Sequence, residues 1–448
     1  MPLVLSAPSR HPAGGTMYSY TFTALRHRPG TRRTGSVYLP SGLPRDRPAA
    51  LQITWDGLRD CDPEVVEKLI AEGTIPPLVS IGSVSARYPA TLPGGTDRTV
   101  RSPEYDGLGP SMPNLLIEEF LPALSEALGI SFAESPDLHA ITGCSSGGIA
   151  AWNACWERND FFRRCYINSP TFSSFRGGDS FPFLIRKFET KPIRCYITAG
   201  TDDMRNSAGD WYLEAESAKE AMEYAGYEYA YERFQDGTHG AGNGDPAVYE
   251  RALRFLWDGW ATRPVSIRHL PPRVADLFAQ GTAWEPVSAP VPYPIAAPKP
   301  PAVPADFPYP VSATALSSDQ WRLYIATPSK RFVYAGAIQP DGTVVDLYTQ
   351  AHLHVRDDFD VPGALDICVD SGDRLYAATE LGIQTISQQG ETNCILPLPG
   401  NRPAAKVFFG GPDGATLYAQ ATDGTLYARP VLTRPAGPSI TPPDTPPF

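Results

Sequence analysis

The stretch Leu138-His-Ala-Ile-Thr-Gly-Cys-Ser-Ser-Gly-Gly-Ile-Ala-Ala151 decides how this chain is read. Ala140 and Ile141 belong to a short apolar strand, and an alanine-rich helical segment begins just past Gly148. Between them stands Gly143-Cys144-Ser145-Ser146-Gly147, a G-x-S-x-G turn with a strand before it and a helix after it. Such a turn holds the serine backbone under strain, and its glycines let strand and helix pass closely without a Cβ between them. Ser145 Oγ then stands exposed above the sheet. The N–H of Ser146, at the start of the helix, can face a developing oxyanion. Cys144 adjoins the nucleophile as packing and cleft wall, because the turn presents its central residue. A plain Gly/Ser connection is the competing reading, and the rest of the chain weighs against it.

A serine nucleophile needs a base, and the base needs an orienting carboxylate. His239, in Phe234-Gln-Asp-Gly-Thr-His-Gly240, follows the last predicted strand of the first half of the chain. Asp203, in Ala199-Gly-Thr-Asp-Asp203, directly follows the predicted strand Ile193–Thr198. The order Ser, Asp, His is the one expected when a nucleophile elbow opens the set. Asp202 and Asp236 remain alternatives for the acid. A second oxyanion donor is expected from Trp55-Asp56-Gly57-Leu58, as the N–H of Gly57 or Leu58. The charged segment Arg98–Asp106 precedes a core helix, where Arg101 and Glu104 can line the cleft or remain solvated.

The chain has 448 residues, 42% hydrophobic and 19% charged, with a net charge of −11 from 38 Lys+Arg and 49 Asp+Glu. That balance argues against nucleic acid and anionic membranes as partners. The 7 cysteines form no C-x-x-C and read as free thiols. No apolar run is long enough to span a bilayer, and Met1–Ser6 lacks the marks of a signal peptide. The expected location is cytoplasmic, with a trimmed export signal as the alternative.

Met17–Ala24 and Ser36–Leu39 read as a hairpin. Strands are then expected at Ala50–Thr54, Pro77–Val84, Cys165–Ile167, Ile193–Thr198 and Tyr229–Phe234. Helices are expected at Pro63–Glu72, Asn114–Leu128, Ala208–Ala225 and Asp245–Trp257. This alternation predicts an α/β domain over residues 1–262, with a mostly parallel sheet covered on both faces. Residues 263–310 hold many of the 48 prolines and read as an extended linker, with Leu270, Leu277, Phe278 and Trp284 free to hug the first domain. Over residues 311–432 the motifs Trp321-Arg-Leu-Tyr, Arg374-Leu-Tyr and Ala415-Thr-Leu-Tyr recur between turn signals. They predict a smaller all-β module of about three propeller blades. Residues 433–448 read as a disordered proline-rich tail. His352 and His354 have strand-like spacing without neighbouring ligands, so no metal site is expected there.

Trp55-Asp56-Gly57, Arg101-Ser-Pro-Glu-Tyr-Asp106, Gly143-Cys-Ser-Ser-Gly-Gly148, Phe175-Arg-Gly-Gly-Asp179, Gly200-Thr-Asp-Asp203 and Gly237-Thr-His-Gly240 occur in that order. Through them, residues from about 17 to 260 resemble the enterochelin esterase-like α/β-hydrolases, related to the feruloyl and acetyl-xylan esterases of carbohydrate esterase family one. The resemblance implies an α/β-hydrolase sandwich, Ser145, Asp203 and His239 as the triad, and Trp55, Arg101, Glu104 and Cys144 near the substrate. It implies no cofactor, and a small-molecule or carbohydrate ester of feruloyl or acetyl type as the substrate. Val369-Asp370, Arg374-Leu-Tyr, Leu381-Gly-Ile-Gln and Phe409-Gly-Gly-Pro-Asp-Gly414 resemble part of the six-bladed gluconolactonase/regucalcin-like propellers. Those enzymes bind a divalent metal, but Ala364-Leu-Asp366 stands here where a Pro-Asp-Gly motif is expected. The alternatives to a carboxylesterase are therefore a metal-dependent lactonase in the C-terminal module, or a module that only pairs two copies into a homodimer.

Overall fold

Short strands buried on both faces alternate with capped amphipathic helices through the first half of the chain, and that pattern sets the architecture. The computed structural model describes residues 2–44, 46–58, 61–288, 299–356 and 360–437. Two units emerge, one from Met1–Arg186 and Thr190–His269, the other from Lys187–Glu189 and Leu270–Phe448.

The first unit is built on a 12-stranded mixed sheet. Its main strands are β1 (Leu3–Leu5), β2 (Thr16–Thr23), β3 (Arg32–Leu39), β4 (Ala50–Trp55), β5 (Leu78–Ser83), β6 (His139–Cys144), β7 (Arg164–Asn168), β8 (Arg194–Gly200) and β9 (Glu228–Phe234). Their order across the sheet is β1-β2-β3-β5-β4-β6-β7-β8-β9. The pairs from β1 to β5 are antiparallel, and every pair from β5 to β9 is parallel. β4, β5, β7 and β8 are buried along their whole length, as parallel strands covered on both faces must be.

Five helices matter for the site or the core: α1 (Pro63–Ala71), α2 (Arg101–Tyr105), α3 (Ser146–Glu157), α4 (Trp211–Ala225) and α5 (Pro246–Leu256). Asp62 caps α1 by accepting the Glu64 N–H at 2.8 Å, and Pro63 fits the first turn, where no donor is needed. Val66 and Leu69 of α1 pack with Leu253, Leu256 and Trp257 against one face of the sheet. On another helix face, Trp152 and Trp156 of α3 meet Phe181 edge-on.

Two helices differ from the sequence expectation. The run expected at Asn114–Leu128 starts at Ser111 and widens into a π turn over Leu116–Phe120, where the Leu121 N–H reaches the Leu116 carbonyl. Pro122 has no N–H to continue the ordinary register, which accounts for the irregularity. α4 begins at Trp211 rather than Ala208, because Arg205–Asn206 and Gly209–Asp210 pair as a small hairpin and Asp210 caps the helix.

Among the described residues, the second unit contains three four-stranded antiparallel sheets. β10 (Glu285–Pro286) joins the last of them. The first sheet contains β11 (Ala313–Leu316), β12 (Arg322–Ala326), β13 (Phe332–Ile338) and β14 (Val344–His352). The second contains β15 (Asp366–Val369), β16 (Leu375–Thr379), β17 (Gly382–Ile386) and β18 (Thr392–Leu396). The third contains β19 (Ala404–Gly410), β20 (Thr416–Ala421) and β21 (Leu426–Pro430), with β10 outside β21. Tyr324, Val333 and Ala335 pack against Ile367, Leu375 and Ala377, while Tyr376, Ile383 and Leu396 pack against Val407, Phe409 and Leu417. The middle sheet is thus covered on both faces, which is why β16 and β17 are buried throughout.

The proline-rich segment departs from a simple linker. Leu277 and Phe278 are buried in the core of the second unit with Leu270 and Trp284 against it, instead of lying on the first domain. Glu285–Pro286 adds a strand to the third sheet. The linker residues 289–298 lie outside the described residues. Of the tail expected to be disordered, Pro435 bridges to Asp370, and residues 438–448 lie outside the described residues. His352 stacks edge-on against Phe332, and Asp366 accepts the Val407 N–H at 3.1 Å. Among the described residues no cluster of three or more His, Cys, Asp or Glu side chains could hold a metal ion, and no helix is long and apolar enough to cross a membrane.

Candidate active site

The turn after β6 has the strained shape that its sequence requires. Ser145 sits at φ 58° and ψ −122°, a conformation rarely adopted by non-glycine residues. A Cβ on Gly143 would lie 2.4 Å from the Gly147 carbonyl oxygen, so only glycine lets β6 and α3 cross here. The neighbouring strand fastens the turn. Ser145 N–H donates to the Asn168 carbonyl at 2.9 Å, and Thr171 N–H donates to the Ser145 carbonyl at 3.2 Å.

Two strands away, β8 ends at Gly200 and delivers Asp203. The His239 loop crosses β8 so closely that a Cβ on Gly200 would stand 2.1 Å from the Gly237 carbonyl oxygen. His239 Nδ1 and Asp203 Oδ1 are 2.6 Å apart, and the same oxygen accepts the Met204 N–H at 2.7 Å. Burial would push the Asp203 carboxyl up, but the His239 ring, the Ser169 hydroxyl and the Met204 N–H outweigh it and hold the group below the usual aspartate range. Asp202 and Asp236, the alternatives in sequence, are both exposed. The edge of the Trp211 ring meets His239 at 6.4 Å between centroids.

Asp56 and Gly57, at φ 62° and 96°, turn the chain sharply after β4. Arg101 clamps this turn through Asp56, with Nη2 at 2.8 Å and Nε at 3.3 Å from the carboxylate oxygens. The Asp56 carboxylate reaches within 3.7 Å of a Cβ position on Gly147, which places the turn beside the start of α3. A cavity of about 320 Å³ opens at Ser145 and Ser146, walled by Thr171, Phe175, Met204 and Trp211.

Two residues expected near the substrate are placed elsewhere. Glu104 is 1% exposed and pairs with the equally buried Arg33 at 2.9 Å, while its other oxygen accepts the Ala86 N–H. Its charge is therefore satisfied inside the fold, away from the cleft. Trp55 is also 1% exposed and meets the Tyr105 ring at a tilt, with its Cβ against Gly147 at the start of α3. Arg101 stays at the surface, and Cys144 directs its Sγ to Asn168 Oδ1 at 3.2 Å. Asp106 is buried beside the Ser146 and Ser102 hydroxyls, and burial raises its carboxyl above the ordinary value.

Sequence reasoning missed the end of β7. Asn168 Nδ2 donates to Thr198 Oγ1 at 2.6 Å and to the Ala241 carbonyl at 2.8 Å, and Ser169 Oγ accepts the Gly240 N–H at 3.0 Å. The only local signal was a pair of polar residues before Pro170 where a buried strand stops.

Residues 27–243 match the family model described as "Putative esterase". None of the curated proteins matches the chain. Among solved structures, a ferulic acid esterase is 16% identical, with 55% of this chain and 98% of that one covered at a TM-score of 0.43. The enterobactin esterase of Shigella flexneri is also 16% identical, with 56% and 61% covered at a TM-score of 0.40. A siderophore hydrolase of Aspergillus nidulans is 17% identical, with 58% and 99% covered at a TM-score of 0.39. The esterase match spans Ser145, Asp203 and His239, and the first unit of this chain is a serine hydrolase acting on ester bonds.

Proposed function

We propose that the chain is a carboxylesterase that works through an acyl-enzyme on Ser145. The observation that carries this reading is a strained elbow serine together with a buried Asp203 that lies 2.6 Å from the half-buried His239, in the chain order Ser, Asp, His. Ser145 Oγ attacks the ester carbonyl carbon and its proton passes to His239. The imidazolium that forms is held by the Asp203 carboxylate through Nδ1–H. The N–H groups of Ser146 and of Gly57 or Leu58 receive the oxyanion. When the C–O bond breaks, His239 returns the proton to the departing alcohol. Water, deprotonated by the same histidine, then releases the acid and restores Ser145.

Phe175, Met204 and Trp211 give the cavity an apolar wall suited to an aromatic or short acyl group. We take a feruloyl- or acetyl-type ester, borne by a carbohydrate or a small molecule, as the substrate class. Arg101 acts by fixing the Asp56–Gly57 turn that supplies the second oxyanion donor. The test is hydrolysis of methyl ferulate and p-nitrophenyl acetate by wild type and Ser145→Ala, with and without chelator. Turnover lost in the variant and indifferent to chelator supports the reading. Turnover that survives Ser145→Ala and dies with chelator refutes it in favour of a metal lactonase.

For the second unit we propose three propeller-type blades, since the first strands of consecutive sheets, β11, β15 and β19, lie side by side. Pairing with a second copy would cover the outer sheets. Light scattering of the full chain at several concentrations tests this, and a strict monomer refutes it.

A further inference from the structure

We propose that Ser169 is a positioning residue that sets the acid and the histidine loop together, a claim that rests on the triad reading above. β7 lies between the nucleophile strand β6 and the acid strand β8, so its C-terminal end adjoins both strands and the loop carrying His239. Asn168 and Ser169 occupy that end. Asn168 holds the histidine loop by the Ala241 carbonyl, and Ser169 holds it by the Gly240 N–H, at the two ends of the Gly240–Ala241 dipeptide.

The hydroxyl of Ser169 is committed in a specific way. Its oxygen accepts the Gly240 N–H at 3.0 Å, and its backbone N–H donates to the Thr198 carbonyl at 2.8 Å. The hydroxyl proton remains to be placed, and the Ser169 hydroxyl is among the groups that hold the Asp203 carboxyl below its usual range. On that carboxyl, Oδ1 already takes the His239 and Met204 donors. Oδ2 is sealed from solvent and has no such partner. A buried carboxylate oxygen calls for a donor, and we assign the Ser169 proton to Oδ2. One side chain would then fix the rotation of the Asp203 carboxyl and the height of the loop carrying His239.

The backbone supports the assignment. Ser169 is 1% exposed and adopts φ 39°, a left-handed conformation that L residues rarely take without a compensating contact. Strain of this sort persists where the surroundings over-determine it, and here it aims the hydroxyl between strand β8 and the histidine loop.

The experiment compares wild type with Ser169→Ala, Ser169→Gly, Asp203→Asn and the double variant Asp203→Asn/Ser169→Ala, on p-nitrophenyl acetate. Ser169→Gly accommodates the left-handed backbone and carries the test if Ser169→Ala folds poorly. Both single Ser169 variants are expected to lower kcat about tenfold while KM stays within about twofold, as for a lost hydrogen bond to a charged group. In the Asp203→Asn background, Ser169→Ala should cost less than about twofold, because its effect passes through the acid. Wild-type kcat in Ser169→Gly overturns the assignment, as does an undiminished tenfold loss on top of Asp203→Asn. Ser145→Ala in the same series separates the two claims. If it keeps wild-type turnover, the triad reading and this inference both fall. If it abolishes turnover while the Ser169 variants match wild type, only this inference falls.

Discussion

The Gly143–Gly147 turn and the Asp203–His239 pair are built by opposite means. The elbow is a local structure, with Gly143, Ser145 and Gly147 setting its shape within five consecutive residues. The pair is assembled from residues far apart in sequence, where β8 and the 237–240 loop cross at Gly200 and the end of β7 grips the loop from below. A local element can be read and damaged at one position, whereas a distributed one spreads its tolerance and its weakness over several strands.

The largest expected effect tests the local half. Ser145→Ala should lower kcat by about four orders of magnitude or more, leaving only what binding and oxyanion stabilisation supply, as measured by steady-state hydrolysis of p-nitrophenyl acetate. The distributed half should show a graded loss. Asp203→Asn is expected to cost about three orders of magnitude in kcat, while Asp202→Asn and Asp236→Asn stay within about twofold, because neither carboxylate is buried or paired with His239. Equal losses in Asp203→Asn and Asp202→Asn would erase the distinction drawn from the geometry.

A smaller effect is expected at the Arg101 clamp on the Asp56–Gly57 turn. Arg101→Ala should lower kcat about tenfold, while thermal denaturation changes by no more than about 1 kcal/mol, since the Arg101–Asp56 pair is more than a third exposed. Glu104→Ala should behave in reverse. It strands Arg33 in the interior, so the loss is expected mainly in stability, about 3 kcal/mol or more. A folded, stable Glu104→Ala with altered KM would return Glu104 to the cleft.

The smallest effect is a pH dependence of stability. The Asp203 carboxyl titrates below its ordinary value of 3.8, so its contribution to stability is present above that value and is lost as the pH falls through the lower, folded-state pKa. Denaturant midpoints of wild type and Asp203→Asn should therefore differ by a constant amount near neutrality and converge below about pH 4. A difference that grows on acidification would contradict the assigned hydrogen bonds.

These contrasts also explain what was legible in the sequence. The parallel strands, the elbow, Asp203 and His239 announce themselves through apolar runs, glycines and chain order, because each is written in a short window. Trp55 and Glu104 misled for a physical reason: a motif marks residues that matter but does not say whether they face the cleft or support it. Both are buried in the fold, at 1% exposure. Ser169 left almost no local trace because its partners are Gly240 and Thr198, on other strands and loops. In the second unit, the recurring Leu-Tyr motifs located the sheets, but nothing local showed that Leu277 and Phe278 would join their core or that Glu285–Pro286 would add a strand.

The most direct test of the central claim is intact-protein and peptide mass spectrometry after exposure to a fluorophosphonate, which traps an activated serine covalently. A single adduct on the peptide bearing Ser145, formed at least about a hundredfold more slowly in His239→Ala, is the predicted result. Loss of esterase activity with the adduct on another residue, or an adduct on Ser145 that forms equally fast without His239, would contradict the account.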